Sequence, residues 1–255
     1  LLPTLPPSLR PTGSGLAASA VLMDPISGQV LAYVGDSTTG GERAEISLHT
    51  PGTLLTPFLA LSGFASGFSP ASLVWDIPNA ATPAADESLY RGPLRLRSAL
   101  ATDTLPPLEQ ILLQLGAPNV WRQAAALGLS NLPRSPEPSS LLTTGGESSL
   151  LQIAQAYGVF SAQGALNGAP AASESAILPV SVLLAEDQDG QRLAEASQPQ
   201  GRSVLSPQLA YLVHHVLSDE MARWPSLGYP NPLEIGRPVG AKTGQNGDAS
   251  QVWTA

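Results

Sequence analysis

The chain has 255 residues, of which 43% are hydrophobic and 13% charged, enough for one large domain or two small ones. No apolar run approaches 18 residues, which predicts a soluble globular protein with a sizeable core and no membrane span. The formal net charge of -8 argues against a nucleic-acid partner, because no basic patch is available to neutralise phosphates. The absence of cysteine excludes disulfides and thiolate metal sites, and we expect no cofactor.

The first part of the chain predicts a linker followed by a β-hairpin. Residues 1–15 are rich in Pro, Gly and Ser, which is typical of an extended linker after another domain. We therefore assign one domain to residues 16–255. The apolar runs ASAVLMD and QVLAYVG, separated by a turn at 25–28, predict the hairpin.

The segment HTPGTLLTPFLAL, residues 49–61, predicts the central helix. A Pro-Gly turn precedes apolar residues with the spacing of a buried helical face, namely Leu54, Leu55, Phe58, Leu59 and Leu61. Thr53 follows the turn and is predicted to be the N-cap. Free N–H groups gather at a helix N-terminus, so this position suits a nucleophile or an anion.

The middle of the chain predicts a loop-rich stretch and several short helices. Trp75 and Ile77 are expected to anchor the loops of residues 63–83. The predicted short helices end near residues 101, 115 and 127, and Gly116 and Gly128 are suitable stop residues for the last two. Ser148 or Ser149 is predicted to cap a longer helix, ESSLLQIAQAYGVFSAQG.

The last third predicts a hairpin, a helix and two strands. Residues 179–196 form the hairpin around the turn at 187–190, and Ser206-Pro207 begins a helix that runs to about Arg223. Two strands follow, at 239–243 and 250–254. We predict an α+β fold in which strands from both ends of the chain pair in one antiparallel sheet with the helices packed on it.

Five segments, in this order, resemble the transpeptidase domain of class A penicillin-binding proteins. They are SAVLMDPISGQVLAYVG, HTPGTLLTPFLAL, RGPLRLRSALATDTLPPLEQILLQLG, TGGESSLLQIAQAYGVFSAQG and GAKTGQNGDASQVWTA. The family carries the elements Ser-x-x-Lys, Ser-x-Asn and Lys-Thr-Gly. In it the serine attacks an acyl-D-Ala bond or a β-lactam, the neighbouring lysine helps remove its proton, and the third element binds the substrate carboxylate.

The resemblance implies a site whose catalytic groups are substituted. Thr53 falls on the nucleophile and Thr56 on the lysine of the first element. Asp103 falls on the serine of the second element and Leu105 on its asparagine. The third element is retained as Lys242, Thr243 and Gly244, the implied substrate-binding residues, but Gln245 replaces the usual Thr or Ser.

These substitutions predict that the acyl-transfer mechanism of the family fails in this chain. Thr56 cannot serve as a base at physiological pH, and the chain has a single lysine, Lys242, so no second one can replace it. The β-methyl of Thr53 crowds the line of attack, and Leu105 removes an orienting amide. Asp103 brings a negative charge beside a site that should receive a carboxylate. The alternative, an active enzyme in which Asp103 is the base for Thr53, stays open.

Several of these residues also fit simpler structural roles. Lys-Thr-Gly alone is a weak signal that also fits a strand end, Thr53 fits a cap, and Asp103 fits a loop or capping position. His214 and His215 are adjacent on a helix and lack the i, i+4 spacing of metal ligands, so no metal is expected. The four tryptophans are expected to be packing anchors.

The resulting prediction is a transpeptidase-like domain of peptidoglycan synthesis, catalytically inactive, that acts as a structural or binding module outside the cytoplasmic membrane. The alternative is an active D,D-transpeptidase that is acylated by stem peptide and β-lactams. Expected partners are a peptidoglycan stem peptide or β-lactam, if binding is retained, and a protein of cell-wall synthesis. Contact with the membrane is expected only through a preceding anchor. In the family a further strand and helix follow the Lys-Thr-Gly hairpin, so we expect the sheet to lack them here.

Overall fold

The computed structural model describes residues 18–35, 47–78, 90–132, 142, 146–171, 176–196 and 200–255. The predicted linker, residues 1–15, lies outside these described residues. In chain order the strands are β1 (Ala20–Met23), β2 (Val30–Val34), β3 (Leu73–Asp76), β4 (Gly92–Arg95), β5 (Ala165–Pro170), β6 (Ile177–Leu178), β7 (Leu184–Glu186), β8 (Arg192–Glu195), β9 (Gln200–Ser203), β10 (Thr243–Gln245) and β11 (Val252–Thr254).

A 3-10 turn, Gly52–Leu55, precedes the first α-helix. The helices are α1 (Thr56–Ala65), α2 (Leu96–Ala101), α3 (Leu105–Leu115), α4 (Ala117–Ala126), α5 (Leu150–Ser161), α6 (Pro207–Leu217) and α7 (Glu220–Leu227). The α+β class is confirmed, since helices are combined with small antiparallel strand pairs.

Helix α1 is the centre of the molecule. Every residue from Thr56 to Phe64 is buried, and α2, α3, α4 and α6 all pack against this helix. A helix that is apolar all round needs such a complete shell of neighbours. Its Phe58 ring lies 5.5 Å from Tyr157 and 5.4 Å from Phe160 of α5, between ring centroids. The prediction of a central helix after the Pro-Gly turn is therefore confirmed.

The two ends of the chain do not share one sheet in the described residues. Strand β1 pairs with β2, and β10 pairs with β11, as separate antiparallel pairs. The prediction that strands from both ends of the chain pair in one sheet is therefore wrong for the described residues, because each of these strands pairs only within its own hairpin.

Other local predictions differ from the structure in instructive ways. Trp75 is 50% and Ile77 42% exposed, so neither is a buried anchor. The helix predicted from Pro207 to about Arg223 is divided at Ser218, because Asp219 caps a new helix by accepting from the Ala222 N–H. Thr53 lies inside the 3-10 turn and is not its N-cap. Its hydroxyl makes no capping hydrogen bond and donates to Asp103 instead.

Candidate functional site

The first wall of the site is the 3-10 turn at Gly52–Leu55, against which strand β10 is packed backbone to backbone. Gly52 has φ +54°, and a Cβ there would overlap the carbonyl oxygen of Gln245. A Cβ on Gly244 would likewise overlap the backbone of Leu54. Glycine is needed at both positions because only a residue without a side chain allows so close an approach. This packing brings the side chains of Thr53 and Lys242 close to each other, where both contact Asp103 Oδ2.

The second wall is the short turn between α2 and α3, which carries Asp103. Asp103 has φ +51°, in the left-handed region that aspartate tolerates better than most residues with a side chain. The turn is fixed on both sides, because the Thr104 N–H donates to Ala99 O at 3.0 Å and the Thr102 and Thr104 hydroxyls are hydrogen-bonded at 2.8 Å. The carboxylate therefore reaches the 3-10 turn and β10 from a constrained backbone.

The Asp103 carboxylate gathers three side-chain donors from two other segments. Lys242 Nζ lies 2.6 Å and Thr53 Oγ1 3.1 Å from Asp103 Oδ2. Thr56 Oγ1 lies 3.2 Å from Oδ1 and 2.8 Å from the carbonyl oxygen of Thr53, so its proton is shared between two acceptors. The structure thus brings together four residues from three distant segments of the sequence: Thr53, Thr56, Asp103 and Lys242.

Burial of the network is uneven. Thr56 is fully buried and Thr53 is 6% exposed. The side chain of Lys242 is 2% exposed, whereas that of Asp103 is 22% exposed. Asp103 is therefore the member of the network that lies nearest to solvent.

Burial also opposes both charges of the ion pair. It raises the pKa of Asp103 above its ordinary value, against the attraction of Lys242 and the hydrogen bonds from Lys242, Thr53 and Thr56. It lowers the pKa of Lys242, against the attraction of Asp103. Removing a charge from water disfavours its ionised form, whichever sign it has.

Two further hydrogen bonds at the site were not predicted from the sequence. The Gln245 N–H donates to Thr53 Oγ1 at 3.2 Å, and the Tyr157 hydroxyl donates to Leu54 O at 2.6 Å. Burial raises the pKa of Tyr157 well above its ordinary value, with a smaller contribution from the charge of Asp103. The one available signal for Tyr157 was a polar group on the otherwise apolar face of its helix.

The remaining predicted site residues lie beside the network. Leu105 begins α3 and packs against the hydrophobic core, and no polar group stands at its position. Thr243 is half-buried and Gly244 is buried, as the first two residues of β10. Lys242 also donates to the carbonyl oxygen of Thr243.

Among the residues that the structure describes, no group of three or more His, Asp or Glu side chains is arranged to hold a metal ion. The Nε2 atom of His214 lies 3.3 Å from Ser218 Oγ, and the ring of His215 contacts the ring of Tyr211. In the same part of the chain, none of the helices has both the length and the apolar character that a bilayer span requires.

Comparison with known proteins gives consistent matches in sequence. No family model matches the chain. It is 26% identical over 259 residues to penicillin-binding protein 1A of Neisseria gonorrhoeae, covering 93% of this chain and 30% of that protein. It is also 26% identical over 264 residues to penicillin-binding protein 1B of Vibrio cholerae, covering 98% and 32%. The chain therefore spans about a third of the length of these relatives.

Solved structures establish the fold. The penicillin-binding protein PonA1 of Mycobacterium tuberculosis, in complex with penicillin V, matches with a TM-score of 0.73 and 18% identity, over 94% of this chain and 66% of that one. Penicillin-binding protein 1A of Haemophilus influenzae matches with a TM-score of 0.73 and 21% identity, over 94% and 41%. The fold is that of the transpeptidase domains of class A penicillin-binding proteins.

Proposed function

We propose that this chain is a transpeptidase-like domain of peptidoglycan synthesis that has lost acylation chemistry and acts as a structural or binding module outside the cytoplasmic membrane. Its partners would be a stem peptide, if the cleft still admits one, and a protein of cell-wall synthesis. The proposal rests on similarity to penicillin-binding proteins 1A and 1B and on one observation at the site. Asp103 engages both threonines and the single lysine, so the carboxylate in contact with Thr53 is already bound by a cation.

The absence of a working base follows from the hydrogen bonds of Thr53. Its hydroxyl touches Asp103 Oδ2 at 3.1 Å and the Gln245 N–H at 3.2 Å. A hydroxyl becomes a useful nucleophile only when a base can take its proton. Asp103 Oδ2 is already bound by the Lys242 ammonium at 2.6 Å, which opposes acceptance of a proton. Thr56 is a neutral hydroxyl that itself donates.

One observation favours the second candidate, an active enzyme with altered residues. Thr53 Oγ1 lies within hydrogen-bonding distance of a carboxylate whose pKa is raised by burial. A carboxylate with a raised pKa is a stronger base than an ordinary one. In that case Asp103 would deprotonate Thr53, and Asp103→Asn would abolish acylation.

Intact-mass measurement after incubation with penicillin V tests the proposal. The natural chain is expected to show no covalent adduct. A triple variant, Thr53→Ser, Thr56→Lys and Asp103→Ser, restores the nucleophile and base types of the family and removes the competing carboxylate. It is expected to gain an adduct that Thr53→Ser alone does not give.

A stable adduct on the natural chain would overturn the inactive assignment. If Asp103→Asn and Thr53→Ala both remove that adduct, the second candidate is correct. Labelling of the triple variant alone would show that the cleft is intact and only its chemistry is lost.

A further inference from the structure

We propose that the Asp103 side chain is a built-in occupant of the cleft that prevents Lys242 from binding the carboxylate of an external peptide. Removal of this side chain would then create a carboxylate-binding site. The inference rests on the proposed function, because it concerns the cleft of the same inactive domain. Beyond the proposed function, the inference states that a contact within the chain blocks the site. It also states that the excluded ligands are carboxylates.

The donors around Asp103 form a receptor for an anion. The Lys242 ammonium and the hydroxyls of Thr53 and Thr56 all point to one carboxylate. The Gln245 N–H donates to Thr53 Oγ1 at 3.2 Å, so that oxygen already accepts a hydrogen bond while its own proton is donated to the carboxylate. All three of these side chains donate to Asp103, and an ionised carboxylate, which only accepts, is the group that such a set of donors selects. In this chain the carboxylate is that of Asp103, a residue of the same molecule.

The positions of the residues explain why Asp103 excludes an external ligand. Lys242, the single lysine of the chain, is almost completely buried, and the Asp103 side chain is the partly exposed member of the pair. An incoming carboxylate would meet the negative charge of Asp103 before it reached Lys242. Because Asp103 is tethered in the same molecule, its effective concentration is far above that of a dissolved ligand. The contact therefore keeps the cation occupied.

The backbone of Asp103 allows a clean test by Asp103→Gly. The residue has φ +51°, which glycine adopts without strain, so the substitution removes the side chain without opposing the turn. Asp219→Gly is the control for loss of a paired carboxylate elsewhere, and it also removes the side-chain cap of α7. Asp219 is ion-paired with Arg97 at 2.7 Å and its side chain is 20% exposed, close to the 22% of Asp103. Both variants lose one carboxylate from an ion pair with similar exposure.

The single lysine also provides the readout. With ¹⁵N-labelled lysine, the Nζ resonance reports Lys242 alone, and it can be followed while N-acetyl-D-Ala-D-Ala is added. The C-terminal amide of the same dipeptide serves as the uncharged probe. Asp103→Gly is expected to bind the acid at least about tenfold more tightly than the natural chain or Asp219→Gly, and to show no such gain for the amide.

Three results would overturn the proposal. They are a folded Asp103→Gly variant without a gain for the acid, a natural chain that binds the acid as tightly as the variant, and an equal gain for the amide. If Asp103→Gly does not fold, Asp103→Asn keeps the volume, removes the charge and takes its place with a smaller expected gain.

These outcomes are separate from those of the proposed function. A covalent adduct on the natural chain, seen by mass, would overturn the inactive assignment and leave the NMR titration to decide the role of Asp103. An unchanged mass together with no gain in Asp103→Gly would overturn only the blocking role.

Discussion

At the scale of single residues, the ion pair between Asp103 and Lys242 joins two segments that are 139 positions apart in the chain. Two desolvated charges at 2.6 Å attract each other, but each has lost its hydration. Removing one partner is costly because the other is left buried and unpaired, whereas replacing both is cheaper. The pair is therefore expected to show strong energetic coupling.

A double-mutant cycle measures this coupling. Lys242→Met and Asp103→Asn are expected to give effects on the free energy of unfolding that are not additive, with a coupling energy of about 1 kcal/mol or more, because each single variant leaves the other charge without its partner. The double variant is expected to lose clearly less than the sum. The free energies come from denaturant unfolding, and Asp219→Asn serves as the control for loss of an ion pair elsewhere. Additive losses would mean that the pair contributes no coupling.

The same pair predicts an unusual dependence of stability on pH. Because the pKa of Asp103 is raised, the folded state binds its proton more tightly, so stability increases as pH falls through the folded pKa toward 3.8. Because the pKa of Lys242 is lowered, stability increases as pH rises through its folded pKa toward 10.5. Relative to the Asp103→Asn, Lys242→Met variant, the natural chain should be least stable between these limits. Unfolding curves of both proteins across pH would test this, and a maximum between the limits would contradict it.

At the scale of elements, the best-defined boundary is the start of α5. The Ser149 hydroxyl accepts from the Gln152 N–H at 3.2 Å, and the Gln152 side chain accepts from the Ser149 N–H at 3.0 Å. This reciprocal capping box satisfies two N–H groups that the helix itself cannot. It also sets the first turn of the helix that carries Tyr157 to the site.

Ser149→Ala is expected to destabilise the protein by about 1 kcal/mol, because the Gln152 N–H loses its acceptor. Ser161→Ala, at the exposed C-terminal end of the same helix, is the control and should change stability by less than about 0.5 kcal/mol. Chemical unfolding of the two variants gives the comparison. Equal effects would show that the capping box does not stabilise α5.

At the scale of the whole molecule, α1 connects the site to the core. Its first residue, Thr56, belongs to the polar network, and two residues later Phe58 is fully buried among the rings of α5. Packing around α1 therefore stabilises the same helix that positions the site. Trp75 of β3, which is half exposed, lies outside this hydrophobic core.

Phe58→Ala is expected to lower the free energy of unfolding by about 3–5 kcal/mol, because the cavity it leaves cannot be filled from the surrounding shell. Trp75→Ala removes a larger ring that is 50% exposed and should cost less than about 1 kcal/mol. Denaturant unfolding measures both. A similar loss in the two variants would contradict the central position of α1.

The sequence by itself determined features that depend on neighbouring residues. The Pro-Gly turn before an apolar helix, the serine cap of α5 and the glycines that end α3 and α4 follow from local backbone geometry and helical periodicity. The resemblance in five segments predicted the fold that the solved structures then established.

The tertiary structure alone decided which side chains meet. Thr53 reads as a cap in sequence, but strand β10 and the Asp103 turn approach the 3-10 turn and take up its hydroxyl. Trp75 reads as an anchor because large aromatic residues are usually buried, yet β3 presents it to solvent. The resemblance placed Asp103, Lys242 and the two threonines in one site, but the hydrogen bonds among them depend on contacts between distant segments, which no local pattern encodes.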